Sequence, residues 1–287
     1  MWQIQKLTDE GSSEPFIARL WSGACELRDL LLQHQARDYS DFEMRRTHFD
    51  ERYQPVMDAL GAARKRAKAI QTLLSAHKEK VASGAIIARQ RNAVQINEAI
   101  GLELQEEMAA FLSAAARAAK SVQALLSYLN LDIGYLFQRQ PKFAAALERL
   151  RAAGDSELAN YLESTRSGWL EALILRRHAL EHEGWRVPDV RYVPQSDGNV
   201  LVIEPDVDGR PVSEFVSTMI DRLLAFIEDM LALAVQRGIK DIGDLIDIPK
   251  EERDPANAKR FRLGSPALQP EVRFWRLRYT EHGFYNS

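Results

Sequence analysis

Apolar residues recur at helical spacing along most of the chain. Phe16, Leu20, Ala24, Leu27 and Leu31 mark one amphipathic stretch over residues 14–35. A long helix is predicted from Asp41 to Val81, interrupted only by Pro55 and Gly61. Pro55 is expected to end or kink a turn, because proline donates no amide and its ring clashes with a preceding carbonyl. Residues 97–128 are rich in Ala, Leu, Glu and Gln, all strong helix formers. Their larger apolar members, including Leu104, Met108, Phe111, Leu112, Val122 and Leu125, suit a helix packed against others. A shorter helix is expected after Pro141, a favourable first-turn residue.

The next helical pattern starts at Asp155 or Ser156, either of which suits an N-cap, and stops at Gly184 with Pro188 beyond. On a helical wheel Leu158, Leu162, Thr165, Trp169, Leu173 and Leu180 form one stripe. Ser167, Glu171, His178 and His182 fall opposite, Arg177 lies between, and Ile174 and Leu175 flank the histidine face. The period then changes. Val190–Val193 and Val200–Ile203 are β-rich runs with Asp197-Gly198 between them, which predicts a hairpin. A second turn is expected at Asp208-Gly209, and a strongly amphipathic helix from Ser213 to Gln236, closed by Gly238. Residues 241–287 mix Pro, Gly and charge with aromatics such as Phe274, Trp275 and Tyr279 and predict no regular element. The expected fold class is therefore mostly α. An N-terminal helical region (1–96) precedes a helical bundle (97–238) with one β-hairpin near 190–204, and an irregular tail (239–287) follows.

Composition narrows this picture. No stretch of the 287 residues approaches the ~20 apolar residues of a membrane span, and Met1–Lys6 lack a signal peptide's apolar run. The single cysteine, Cys25, excludes an intrachain disulfide and suits a small core residue; a cytoplasmic chain without membrane contact is expected. The net charge of -3 excludes a globally basic nucleic-acid binder. Charge is nevertheless uneven. Between Gly61 and Arg91, the basic residues Arg64, Lys65, Arg66, Lys68, Lys78, Lys80, Arg89 and Arg91 accompany one acid, Glu79. Lys259, Arg260, Arg262, Arg273, Arg276 and Arg278 form a second cluster. A solvated helix face is the plainer reading of such runs. The functional one is RNA-phosphate contact, with Arg64, Lys65, Arg66 and Lys68 as the candidate residues.

The segment Leu175–Trp185 holds the chemistry. Arg177 and His182 are separated by four residues, and His178 directly follows the arginine. This spacing resembles the Arg-x(4–6)-His motif of the HEPN superfamily, and the resemblance covers about Gly101 to Gln236. Members are small helical bundles, many of them dimeric ribonucleases of toxin–antitoxin and phage-defence systems. The resemblance implies a metal-independent endoribonuclease in which the ribose 2′-OH attacks the phosphate. His182 would be general base or acid and Arg177 would hold the phosphate. In the last helical turn the dipole favours a protonated His182 by roughly 0.3–1 kcal/mol. On a regular helix the two lie about 140° apart. A long arginine stem or a second copy must close that gap, so a homodimer is expected.

Other chemistry has less support. His178 and His182 at i, i+4 could bind a metal, but the HExxH pattern is absent, so no metal site is expected. His178 is expected to support substrate or the dimer contact. Glu171 and Glu181 could orient a histidine, though solvation is their plainer role. No Gly-rich phosphate loop, Gly-x-Ser-x-Gly elbow or Cys/His nucleophile pattern occurs, and no cofactor is expected. The reading is thus an endoribonuclease of bacterial stress response or phage defence, with RNA as partner and an antitoxin or other protein as a further one. The alternative is a non-catalytic helical module that binds RNA, a nucleotide or a protein.

Overall fold

A computed structural model describes residues 24–90, 93–241, 243–252 and 260–264. The fold is mostly α, as the periodicity predicts, with small antiparallel strand pairs. The helices are α1 (Ala24–Gln35), α2 (Tyr39–Ala82), α3 (Gly101–Tyr128), α4 (Gln140–Ala152), α5 (Ser156–Thr165), α6 (Glu171–His182) and α7 (Val212–Gly238). The strands pair as β1 (Ile87–Gln90) with β2 (Ala93–Ile96), β3 (Arg191–Pro194) with β4 (Val200–Ile203), β5 (Asp206–Val207) with β6 (Arg210–Pro211), and β7 (Asp244–Asp247) with β8 (Phe261–Gly264). The chain forms two compact units. Among the described residues, one holds those up to Pro55, Val122–Ile133 and those from Leu224 onward; the other holds those of Val56–Ser121 and Gly134–Leu223.

The expected break at Pro55 does not occur, and α2 runs through it for 44 residues. A proline inside a helix costs ~3 kcal/mol. Immediately after it, Val56 and Leu60 are fully buried, and each such side chain contributes about 1.5–3 kcal/mol. Packing outweighs the lost amide. From there Val56, Leu60, Ala63, Ala67, Ile70, Leu74, His77 and Val81 are all buried, at alternating steps of four and three. That is a heptad stripe, with one histidine among its apolar members.

In the first unit, Leu27, Leu31, Phe49, Val122, Phe226 and Met230 are buried core residues. Arg28 is buried too, held by Asp29 at 2.7 Å and Asp50 at 2.6 Å, with the Phe49 ring 6.0 Å from its guanidinium. Burial pushes the neighbouring Cys25 thiol up to about 12, which keeps it protonated and inert. The segment expected to be irregular contains the β7–β8 pair. There Arg260 meets Asp229 at 2.6 Å and Asp247 at 3.1 Å. Phe274, Trp275, Tyr279 and residues 14–23 lie outside the described residues.

In the second unit, the β1–β2 pair lies within residues 1–96, expected to be helical. The β3–β4 hairpin matches its prediction, in the register Arg191↔Ile203 to Pro194↔Val200. The Asp208-Gly209 turn also matches: both residues have positive φ, 54° and 79°, as the tightest hairpin turns require. Three contacts hold β3–β4 to its neighbours. His77 Nε2 shares a 2.6 Å hydrogen bond with the Tyr192 hydroxyl, Lys78 pairs with Glu204 at 2.6 Å, and Arg89 donates to the Gly198 carbonyl at 2.6 Å.

Burial pushes the His77 pKa below its usual value, with Lys80 pushing the same way and Glu98 opposing. The folded state therefore prefers neutral His77 more than the unfolded chain does. Its stabilisation is complete above the unfolded pKa of about 6.5 and is lost as pH falls below it. The wild type is expected to lose more urea stability between pH ~7.5 and ~5.5 than His77→Gln does. Equal losses would show that His77 titrates normally.

Candidate functional site

The helix carrying the Arg-His motif is not one regular element. Between α5 and α6 lies a π-helical turn, Arg166–Leu170, closed by the Glu171 amide donating to the Arg166 carbonyl five residues back. A π turn adds one residue to the helix. Trp169 and Leu170, adjacent in sequence, are therefore both buried. Leu158, Leu162, Thr165, Trp169 and Leu173 are buried as the wheel predicts, and Leu180 is half-buried. Arg166 braces the turn. It donates to the Gln138 carbonyl at 2.7 Å, lies 4.5 Å from the Phe143 ring centroid and approaches Glu171 at 3.8 Å.

Of the five residues assigned to the motif site, four gather at the C-terminal end of α6. Arg177, His178, Glu181 and His182 are all exposed. Glu181 stands between the proposed pair: its Oε1 accepts from Arg177 Nε at 2.9 Å, and its Oε2 lies 3.8 Å from His182 Nε2. The Glu181 carboxylate thus bonds Arg177 and lies near the His182 ring. The His178 and His182 rings meet edge-on, 4.8 Å between centroids, and His178 Nδ1 lies 3.2 Å from Glu183. Glu171 is the exception. It pairs with Arg166 and sits seven residues before His178, about 10 Å along the axis. The helix ends as predicted at Gly184, with φ +69°, while the Glu183 and Trp185 amides donate to the Ala179 carbonyl at 2.9 and 3.1 Å.

Sequence reasoning passed over Arg176. Its Nε donates to both Asp208 oxygens, at 2.9 and 3.1 Å, its Nη2 also bonds Asp208, and its guanidinium lies 5.4 Å from the Trp185 ring. The Asp208 hydrogen bonds raise its pKa further. This planar two-point pairing fastens α6 to the β5–β6 turn. The tandem arginines were the available signal, since neighbours on a helix point about 100° apart.

The basic run is less bare in space than in sequence. Arg66 pairs with Glu107 at 3.0 Å, Lys78 with Glu204 and Lys80 with Glu98 at 2.6 Å, all acids from distant segments. Arg64 is half-buried, with its pKa lowered by desolvation. Lys65 and Lys68 remain exposed. Of the second basic cluster, Arg260 sits among acids, and Lys259, Arg273, Arg276 and Arg278 lie outside the described residues. Among the described residues no group of three or more His, Cys, Asp or Glu is placed to hold a metal, and no helix is long and apolar enough to cross a membrane.

Compared with known protein families, curated proteins and solved structures, the chain finds no match.

The facing of α6 yields a direct check. Leu173 is fully buried and Leu175 is 60% exposed. Leu173→Ala should cost about 2–5 kcal/mol in chemical denaturation. Leu175→Ala should change stability by less than ~0.5 kcal/mol.

Proposed function

We propose that the protein is a metal-independent endoribonuclease acting through Arg177 and His182. The observation that carries this reading is the Glu181 carboxylate, which joins the guanidinium and the imidazole on one exposed helix end. The resemblance of the Arg-x(4)-His spacing to the HEPN motif supports the same reaction class.

In the reaction, His182 takes the proton from the ribose 2′-OH. The O2′–P bond forms, the P–O5′ bond breaks, and the leaving 5′-oxygen takes up a proton. Arg177 stabilises the charge on the non-bridging oxygens. It must first release Glu181. An exposed i, i+4 ion pair is worth only ~0.3–0.5 kcal/mol, so releasing Glu181 costs little. Glu181 is left beside His182. The biological setting in this reading is bacterial stress response or phage defence in the cytoplasm, with an antitoxin or other protein as regulator.

A second reading, a non-catalytic helical module binding RNA, a nucleotide or a protein, rests on the near-neutral net charge of -3 and on the same contacts. Arg177 and His182 touch only through Glu181, an arrangement that an unreactive helix end also tolerates.

His182→Ala and Arg177→Ala should each abolish cleavage of labelled RNA in EDTA, with an unchanged helical circular-dichroism signal. Wild-type products should end in 2′,3′-cyclic phosphates. Cleavage that survives both substitutions would remove this site. RNA capture has its own test. Replacing Arg64, Lys65, Arg66 and Lys68 with Gln should weaken binding and flatten its dependence on salt, because phosphate contacts release counterions. Arg66 already holds Glu107, so its own share of the effect should be small.

A further inference from the structure

The two edges of the β3–β4 hairpin are not equivalent. Across its turn the Gln195 amide donates to the Asn199 carbonyl at 2.8 Å. In an antiparallel ladder, pairs that exchange such bonds recur at every second position. In the observed register, Val193↔Leu201 and Arg191↔Ile203 are then the bonded pairs. The backbone groups of Tyr192, Pro194, Val200 and Val202 point away from the partner strand. On the β3 edge, Pro194 has no amide to give. On the β4 edge, Val200 and Val202 each present an N–H and a C=O, and among the described residues no third strand pairs with either edge.

The β4 edge also lacks the usual protection. Charges, prolines and bulges blunt exposed edges, and Val200–Ile203 contains none of them. One face of the hairpin is fixed by Tyr192 on His77. The other carries Val193 and Leu201 side by side, 39% and 51% exposed.

We propose that β4 docks against β4 of a second copy of this chain, antiparallel, about a two-fold axis at Leu201. In that register Val200 lies opposite Val202 of the second copy, and Val202 opposite its Val200. The outward groups of these residues repeat symmetrically about Leu201, so the same strand run backwards satisfies all of them. Leu201 meets its own counterpart in the close, non-bonded position, about 4.5 Å between Cα atoms. Val193 of each copy flanks the pair, giving a continuous apolar row. Because β4 carries no charged residue, self-pairing brings no like charges together. A marginal two-stranded hairpin becomes a four-stranded sheet in the order β3, β4, β4, β3. The patch is its own complement, as an isologous interface requires. This inference stands independently of the ribonuclease reading.

Cysteine cross-linking of the full chain tests the axis directly. The native Cys25 is buried, so background linkage is low. Leu201→Cys should form a covalent dimer under mild oxidation, because its Cα separation suits a disulfide. Val193→Cys should not, since three strand spacings, about 14 Å, would separate it from its counterpart. Light scattering should give the wild type twice the 32.6 kDa chain mass. Leu201→Lys sets two cations together at the axis, and Val202→Pro deletes only an outward amide; both should give the mass of one chain. The proposal is overturned by a monomeric wild type at micromolar concentration, by a Leu201→Lys dimer, or by Val193→Cys linking as fast as Leu201→Cys.

Discussion

The buried stripe of α2 is the constraint on which the second unit depends. Its eight members, from Val56 to Val81, alternate steps of four and three and leave no exposed gap. The stripe includes two small members, Ala63 and Ala67, both buried. At position 77 the stripe changes character. An imidazole replaces an aliphatic side chain and supplies a polar atom to Tyr192. The Tyr192 hydroxyl satisfies Nε2 of this buried ring, so the position favours a hairpin that offers a hydroxyl there. The stripe thus provides adhesion along most of its length and selection at one point.

The same economy governs charge. A run of cations that looks unopposed in sequence recruits Glu98, Glu107 and Glu204 from elsewhere in the fold. These pairs are exposed and individually weak. Their effect is on the field: they offset part of the positive charge along the run. Arg176 shows the stronger form of the same principle. Its geometry is two-pointed, and its partner lies on a turn with positive φ, so it defines both position and angle.

Much of this was legible in the sequence, for local reasons. The β3–β4 hairpin and the Asp208-Gly209 turn were readable because turn chemistry is written in a few adjacent residues. The stripe of α5 and α6 was readable because burial repeats with the helix period. What stayed hidden depended on distant partners. Strand β1 contains Arg89 and Gln90, and its partner is visible only once Ile87↔Ile96 pairing closes. Strand β8 lies well beyond β7, with no tight turn to announce it. Pro55 misled because its penalty is local and its compensation is tertiary. Of the site, Arg177, His178 and His182 were legible from chemistry and spacing, and Glu181 as a possible orienting residue. That it would bridge two of them required coordinates, as did the partner of Glu171.

The π turn sets the angular phase of everything that follows it. Removing one of its five residues would restore a regular helix and move each later residue into its predecessor's place. Ile174 would inherit the core position of Leu173, and Arg177 would face Asp208 where Arg176 now stands. The tandem arginines would exchange duties, and His178 would take the position from which Arg177 reaches Glu181. A single backbone irregularity, buried between Thr165 and Glu171, therefore decides which of two identical guanidinium groups is structural and which is offered to solvent.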